Sequence, residues 1–222
     1  LPFFFNISAL IYKSMKTTYI FVVLLIISSC SGGSSNIIEE DDSGIPGDEL
    51  NSINETCTNT SRNGVDKCDL IHDDRNRFYY LYVPDNLDTN QSIPVLFAFH
   101  GYGSSALRHL GYTNYIPIAD GNNFIVVYPQ GETTSTLSAH WNVGGWTSKS
   151  PVKDLEFVET VIDLIKDKLP IDESRIYSSG MSNGGYMGYH LACNLSDKFA
   201  AIVSVTGSMT TSTYDNCSPS HP

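Results

Sequence analysis

Arg175-Ile176-Tyr177-Ser178-Ser179-Gly180-Met181-Ser182-Asn183-Gly184-Gly185 decides the reading of this 222-residue chain. Its first five residues read as a strand, and Asn183 to Asn194 reads as a helix. Between them stands G-x-S-x-G, placed where a strand turns sharply into a helix. So tight a turn holds the central serine in a strained backbone conformation. It leaves no room for bulk two residues before or after, hence Gly180 and Gly184, and Gly185 gives helix and strand further room to approach. The helix then aims its first N–H groups and positive dipole end at the serine. Ser182 is therefore the candidate nucleophile, and the Asn183 N–H a candidate donor to an oxyanion. A glycine-rich turn with an incidental serine is the plainer alternative, but it would need neither flanking element.

Outward from the elbow, short apolar runs predict strands at 77–84, 95–99, 124–128 and 200–205. A short helix is expected within 112–121. A longer one is expected over 154–169, where Leu155, Val158, Ile162 and Ile165 recur at helical spacing before Pro170. Alternating strands and helices imply an α/β domain with a mostly parallel sheet. His100-Gly101-Tyr102-Gly103 follows the strand at 95–99, the position of a glycine-rich oxyanion loop. One donor is assigned to the Tyr102 or Gly103 N–H, and each well-aimed donor is worth ~3 kcal/mol in acyl transfer. His100 is read as bracing this loop beside the substrate. In the hydrolase order the base follows the nucleophile, so His100 is not the base.

Composition narrows the field. Hydrophobic residues make up 41% and charged residues 17%, which excludes wholesale disorder. Thirteen Lys and Arg against twenty-four Asp and Glu give a formal charge of −11, which argues against nucleic acid as a partner. From Met15 the chain has a basic start, an apolar run from Ile20 to Ile27, and Ser28-Ser29-Cys30. That pattern is an export signal over 15–29, ending in a sequence like a bacterial lipobox with Cys30 as the lipidated residue. Residues 1–14 precede this start and read as translated upstream sequence. Residues 30–55 are Gly/Ser-rich and then acidic, as in a flexible tether, which leaves 56–222 as the catalytic domain. The expectation is an exported lipoprotein facing periplasm or cell exterior, touching membrane through its lipid only. Cys57, Cys68, Cys193 and Cys217 form an even set in an exported chain and so favour disulfides. Three pairings are possible, and pairing sequence neighbours (Cys57 with Cys68, Cys193 with Cys217) is favoured. No CxxC spacing or paired histidine accompanies them, so no metal and no cofactor are expected.

Taken in order, Tyr82-Val83-Pro84, Phe99-His100-Gly101-Tyr102-Gly103, Val127-Tyr128-Pro129-Gln130-Gly131, Trp141-Asn142, Asp154…Phe157-Val158 and Gly180-Met181-Ser182-Asn183-Gly184-Gly185-Tyr186-Met187 resemble the poly(3-hydroxybutyrate) depolymerase/feruloyl esterase family of α/β-hydrolases. The resemblance implies an α/β-hydrolase fold, a mostly parallel sheet flanked by helices. It implies Ser182 as acyl nucleophile, Trp141, Asn142 and His100 along the substrate cleft, and Asp154 as a cap on the long helix. The substrate it implies is a polymeric ester. Feruloyl or acetyl esters on polysaccharide are favoured over polyhydroxyalkanoate polyester, because no surface-binding module is visible. The same fold also serves serine peptidases, and a surface-binding lipoprotein without catalysis is a third reading. The family places an acid and then a histidine after Ser182. Only His190, Asp197, Asp215 and His221 follow, and none is placed as that pattern requires. The expectation is a C-terminally truncated fragment that lacks the last strands, with an exposed sheet edge and little activity.

Overall fold

A computed structural model describes residues 54–62 and 64–220; the export signal, Cys30, almost all of the tether and His221 lie outside them. An antiparallel meander of β1 (Glu55–Asn59), β2 (Val65–His72) and β3 (Arg75–Tyr82) leads into the parallel part of the sheet. There follow β4 (Ile93–Phe99), α1 (Ala106–Thr113), α2 (Ile116–Asn122), β5 (Ile125–Pro129), α3 (Asp154–Lys166), β6 (Ile171–Met181), α4 (Asn183–Asn194), β7 (Phe199–Val205) and α5 (Thr211–Asp215). The spatial order is β1-β2-β3-β5-β4-β6-β7, with β5, β4, β6 and β7 parallel and β3 antiparallel to β5.

Strand periodicity divides the core between two faces. On one face Phe97, Phe99, Ile125 and Val127 pack with Phe157, Val161 and Ile165 of α3 and with Met187 and Leu191 of α4. On the other, Ala98, Val126 and Tyr128 meet Ala106 and Leu110 of α1 and Ala119 of α2. Continuous apolar runs in β4 and β5 are thus strands covered by helices on both sides.

Several expectations need correction. The short helix expected within 112–121 is α2, and α1 before it was not foreseen. Ser105 caps α1 by accepting the Arg108 N–H, and Asn114 ends it in the left-handed region; Pro117 lies in the first turn of α2. β1 begins at Glu55, inside the stretch read as tether, and β1, β2 and α5 went unforeseen. The first strand of the meander is almost wholly exposed, so no apolar alternation marks it. Cys57 and Cys68 face each other across β1 and β2 and are bonded, as are Cys193 and Cys217, which tie the end of α4 to the segment after α5. Glu55 adjoins the first pair, whose bonded sulfurs cannot serve as thiolate ligands. Among the described residues β7 pairs on one side only, and its Val203 and Val205 are exposed. No helix among them is long and apolar enough to cross a membrane.

Asp154 does more than start a helix. Its carboxylate is fully buried, accepts from Arg77 Nη2 at 2.8 Å, and takes the Asn142 N–H on its second oxygen at 2.7 Å. Arg77 is equally buried, lies over the Phe157 ring at 3.8 Å, and donates to the Gln130 carbonyl. One ion pair therefore fixes β3, the end of β5, α3 and the 141–142 loop relative to one another. Removing one member strands a buried charge. Asp154→Ala is expected to lower stability by about 3–5 kcal/mol, read as a fall in the urea midpoint at pH 7. A change below about 1 kcal/mol would show that the pair does not anchor the fold.

Candidate active site

Ser182 occupies the turn between β6 and α4 with φ 52° and ψ −118°, a conformation that a non-glycine residue adopts only under constraint. The constraint is crowding. A Cβ on Gly184 would overlap the Phe99 carbonyl, and one on Gly180 would overlap the Gly184 carbonyl. A Cβ on Gly185 would fall 2.5 Å from Ser204 Oγ and 2.9 Å from Gly207 Cα. Three glycines thus let the helix start against two strand ends. The Ser182 N–H donates to the Val205 carbonyl at 2.8 Å, and its own carbonyl accepts from Tyr186 in the first turn of α4. The side chain is partly exposed, and among the described residues its hydroxyl has no hydrogen-bond partner.

Two amides are open beside it. Asn183 is the first residue of α4, so its N–H has no intrahelical acceptor, and neither it nor the Tyr102 N–H is bonded among the described residues. Gly101 brings the oxyanion loop to the elbow: a Cβ there would sit 3.6 Å from Ser182 Cβ. Gly103, the alternative donor, is corrected. Its N–H is already given to the Ala139 carbonyl at 2.7 Å, which holds the loop open at φ +69°.

The residues expected along the cleft act as braces, the role already read for His100. Trp141 is 0% exposed; its backbone N–H donates to Asn183 Oδ1 at 2.7 Å, and its carbonyl accepts from Asn183 Nδ2 at 3.1 Å. Its indole N–H donates to the His100 carbonyl at 2.8 Å. His100 is also fully buried. Its Nε2 accepts the Gly131 N–H at 3.0 Å, which leaves the proton on Nδ1 for the Gly101 carbonyl. Asn142 spends its side-chain amide on the carbonyls of Ser150 and Val152. These contacts tie the loop at 100–103, the 131–142 loop and the helix start together, with Trp141 and His100 fully buried.

No described histidine hydrogen-bonds Ser182. His72 faces Thr160, His109 bonds Tyr112, His140 bonds the Ser138 carbonyl, and His190 on α4 meets Thr213 Oγ1 at 3.1 Å. Asp197 and Asp215 are exposed and pair with nothing among the described residues.

Sequence reasoning missed the exposed aromatic corner. Trp146 is 50% exposed and Tyr102 43%, with ring centroids 5.4 Å apart in an edge-on arrangement. Trp146 stands on a 3₁₀ turn preceded by Gly144 at φ +69° and Gly145 at φ +53°. Ser212 Oγ takes the Gly145 N–H, and Thr210 Oγ1 donates to the Val143 carbonyl. Two consecutive glycines before a tryptophan were the available signal.

Solved structures share this fold. A structure described as a thermostable esterase superposes at TM-score 0.55 over 69% of this chain and 43% of its own, with 20% identity. An acetyl xylan esterase from Aspergillus awamori does so at 0.51 over 60% and 47%, with 21% identity. The chain has the α/β-hydrolase fold. Within that fold, the model of the prolyl oligopeptidase family matches residues 111–219, which include the elbow. Among curated relatives, feruloyl esterase B of Thermothelomyces thermophilus is 36% identical over 124 residues, 55% of this chain and 41% of that protein. The bifunctional acetylxylan esterase/xylanase of Neocallimastix patriciarum is 33% identical over 131 residues, 59% of this chain and 18% of that protein. The chain spans half or less of the length of these relatives.

Burial sets the charge state around the hydrolase elbow. His100 is held below the usual histidine range by burial, against the opposing pull of the Gly101 carbonyl and Asp154. His109, packed behind the elbow through Tyr112 and Met181, is pushed down to about 4 by burial and then by repulsion from His100. Since the unfolded chain takes up these protons at ordinary histidine pKa, stability is present above about pH 6.5 and is lost as pH falls toward 4. Urea unfolding over that window is expected to show a loss on the order of 3 kcal/mol attributable to His109. His109→Phe should flatten the slope, and an unchanged slope would contradict the assignment.

Proposed function

We propose that this chain is the elbow-bearing part of an exported serine carboxylic-ester hydrolase acting on esters linked to polysaccharide. The reading is carried by one observation: a strained, partly exposed serine, its hydroxyl unpartnered among the described residues, lies beside two amides unengaged among them. In this mechanism Ser182 Oγ attacks the ester carbonyl, and the alkoxide that forms is received by the Asn183 and Tyr102 N–H groups. Collapse expels the alcohol and leaves an acyl-serine, which water then hydrolyses. A histidine must take and return the serine proton, oriented by an acid. Because the described histidines are engaged elsewhere, we assign both groups to parts of the whole protein outside the described residues. The relatives named as feruloyl and acetylxylan esterases support ester bonds on plant polysaccharide as the target. The Tyr102–Trp146 corner supports it independently, since exposed aromatic faces stack on aryl rings and on the C–H faces of pyranose rings. Two disulfides agree with export, and the signal over 15–29 with Cys30 supports a lipid anchor. Polyester substrates find no specific support beyond the motif resemblance.

A peptidase is the second reading, favoured by the prolyl oligopeptidase family match over 111–219. The two part on substrate. The whole protein is expected to hydrolyse methyl ferulate and p-nitrophenyl acetate and to leave a peptide anilide intact, and Ser182→Ala should cut kcat/KM by at least about 10⁴. Faster cleavage of the anilide would establish the peptidase, and ester hydrolysis retained in Ser182→Ala would refute the nucleophile.

A further inference from the structure

The loops that flank Tyr102 form a second feature, open to solvent on one side. A cavity of about 660 Å³ is lined by Arg75, Thr133, Thr134, Ser135, Thr136, Lys149 and Pro151, a volume suited to a sugar-sized ligand. Its charged groups are both cations, in a chain whose formal charge is −11. Neither has an ion pair among the described residues, although Asp74 adjoins Arg75 in the chain and is itself unpaired there. Asp73 pairs with Lys153 at 2.6 Å and Glu132 lies 3.7 Å from Arg77. Arg75 Nε has no acceptor among the described residues, though it is itself buried away from solvent. The hydroxyls of Thr133, Ser135 and Thr136 are likewise unbonded among the described residues, whereas Thr134 Oγ1 takes the Leu137 N–H. The wall offers donors in excess.

Its position ties it to the elbow. Ser138 donates its N–H to the Tyr102 hydroxyl, and Trp146 meets the Tyr102 ring. Ser135 is three residues from the first contact and Lys149 three from the second, so the cavity wall lies within ~11 Å, Cα to Cα, of the aromatic corner. We propose that this cavity binds the carboxylate of an acidic sugar, a uronic acid branch on the polysaccharide whose ester lies at Ser182. Arg75 and Lys149 hold the carboxylate, and the threonine and serine hydroxyls meet the sugar's own. The polymeric ligand rests on the ester-hydrolase reading; the anion site does not.

Binding separates the two. In the whole protein carrying Ser182→Ala, which cannot turn over, calorimetry compares a xylo-oligosaccharide bearing one glucuronic acid branch with its unbranched counterpart. The acidic ligand is expected to bind at least about tenfold more tightly, with the advantage shrinking as salt rises. Adding Arg75→Gln and Lys149→Gln should erase that advantage and leave the neutral ligand's affinity and the Tm unchanged. Equal binding of the two ligands by the parent, or an advantage that survives both substitutions, overturns the proposal. Either result leaves the outcome of the ester assay untouched, so the failures are distinguishable.

Discussion

Strand β6 and helix α4 cross at a distance that only backbone can occupy, and that crossing governs the rest of the site. Gly180, Gly184 and Gly185 are squeezed against the Phe99 carbonyl, one another and Gly207. With no side chain permitted at those three places, the chain can reverse only by forcing Ser182 to positive φ, which lifts its hydroxyl out of the sheet. The same compression brings the first amide of α4 beside that hydroxyl and lets Gly101 close in from β4. The strain, the open amide and the projecting hydroxyl are thus three consequences of one packing distance.

Such strain persists only where the surroundings over-determine it. Here they consist of a hydrogen-bonded frame buried under the elbow. Asn183 grips the Trp141 backbone from both sides, Trp141 holds the His100 carbonyl, and His100 holds Gly131. Beneath it, the Arg77–Asp154 pair fixes the Asn142 amide and the Gln130 carbonyl. Most polar groups this frame takes from water have a partner across a different loop, Arg77 Nε and Nη1 excepted, so shifting one loop would leave several unsatisfied at once. The open face above this frame is aromatic and then cationic, from Tyr102 and Trp146 toward Arg75 and Lys149.

What could be read from residues alone follows from how local the cause is. The elbow was legible because its steric demand falls on three glycines within six residues. The buried parallel strands were legible because being covered on both faces removes polar residues altogether. The sequence-neighbour disulfide pairing also held. The bracing role of His100 was legible, but that of Trp141 was not, since a tryptophan in a loop reads alike whether it faces a ligand or clamps two backbones; only its partners 41 and 42 residues away decide. Gly103 lost its role to the Ala139 carbonyl, a contact no spacing announces. The β1–β2 hairpin escaped because its outer strand is exposed and polar, and α1 because only Ala106, His109 and Leu110 turn inward.

The central claim is geometric, and a crystal structure of the whole protein with Ser182 carrying a phosphonate ester tests it most directly. The account predicts a tetrahedral phosphorus on Ser182 Oγ, with one phosphonyl oxygen about 2.7–3.1 Å from both the Asn183 and the Tyr102 nitrogen. A phosphonate attached to a different residue, or one whose oxygen points away from both amides, would contradict it.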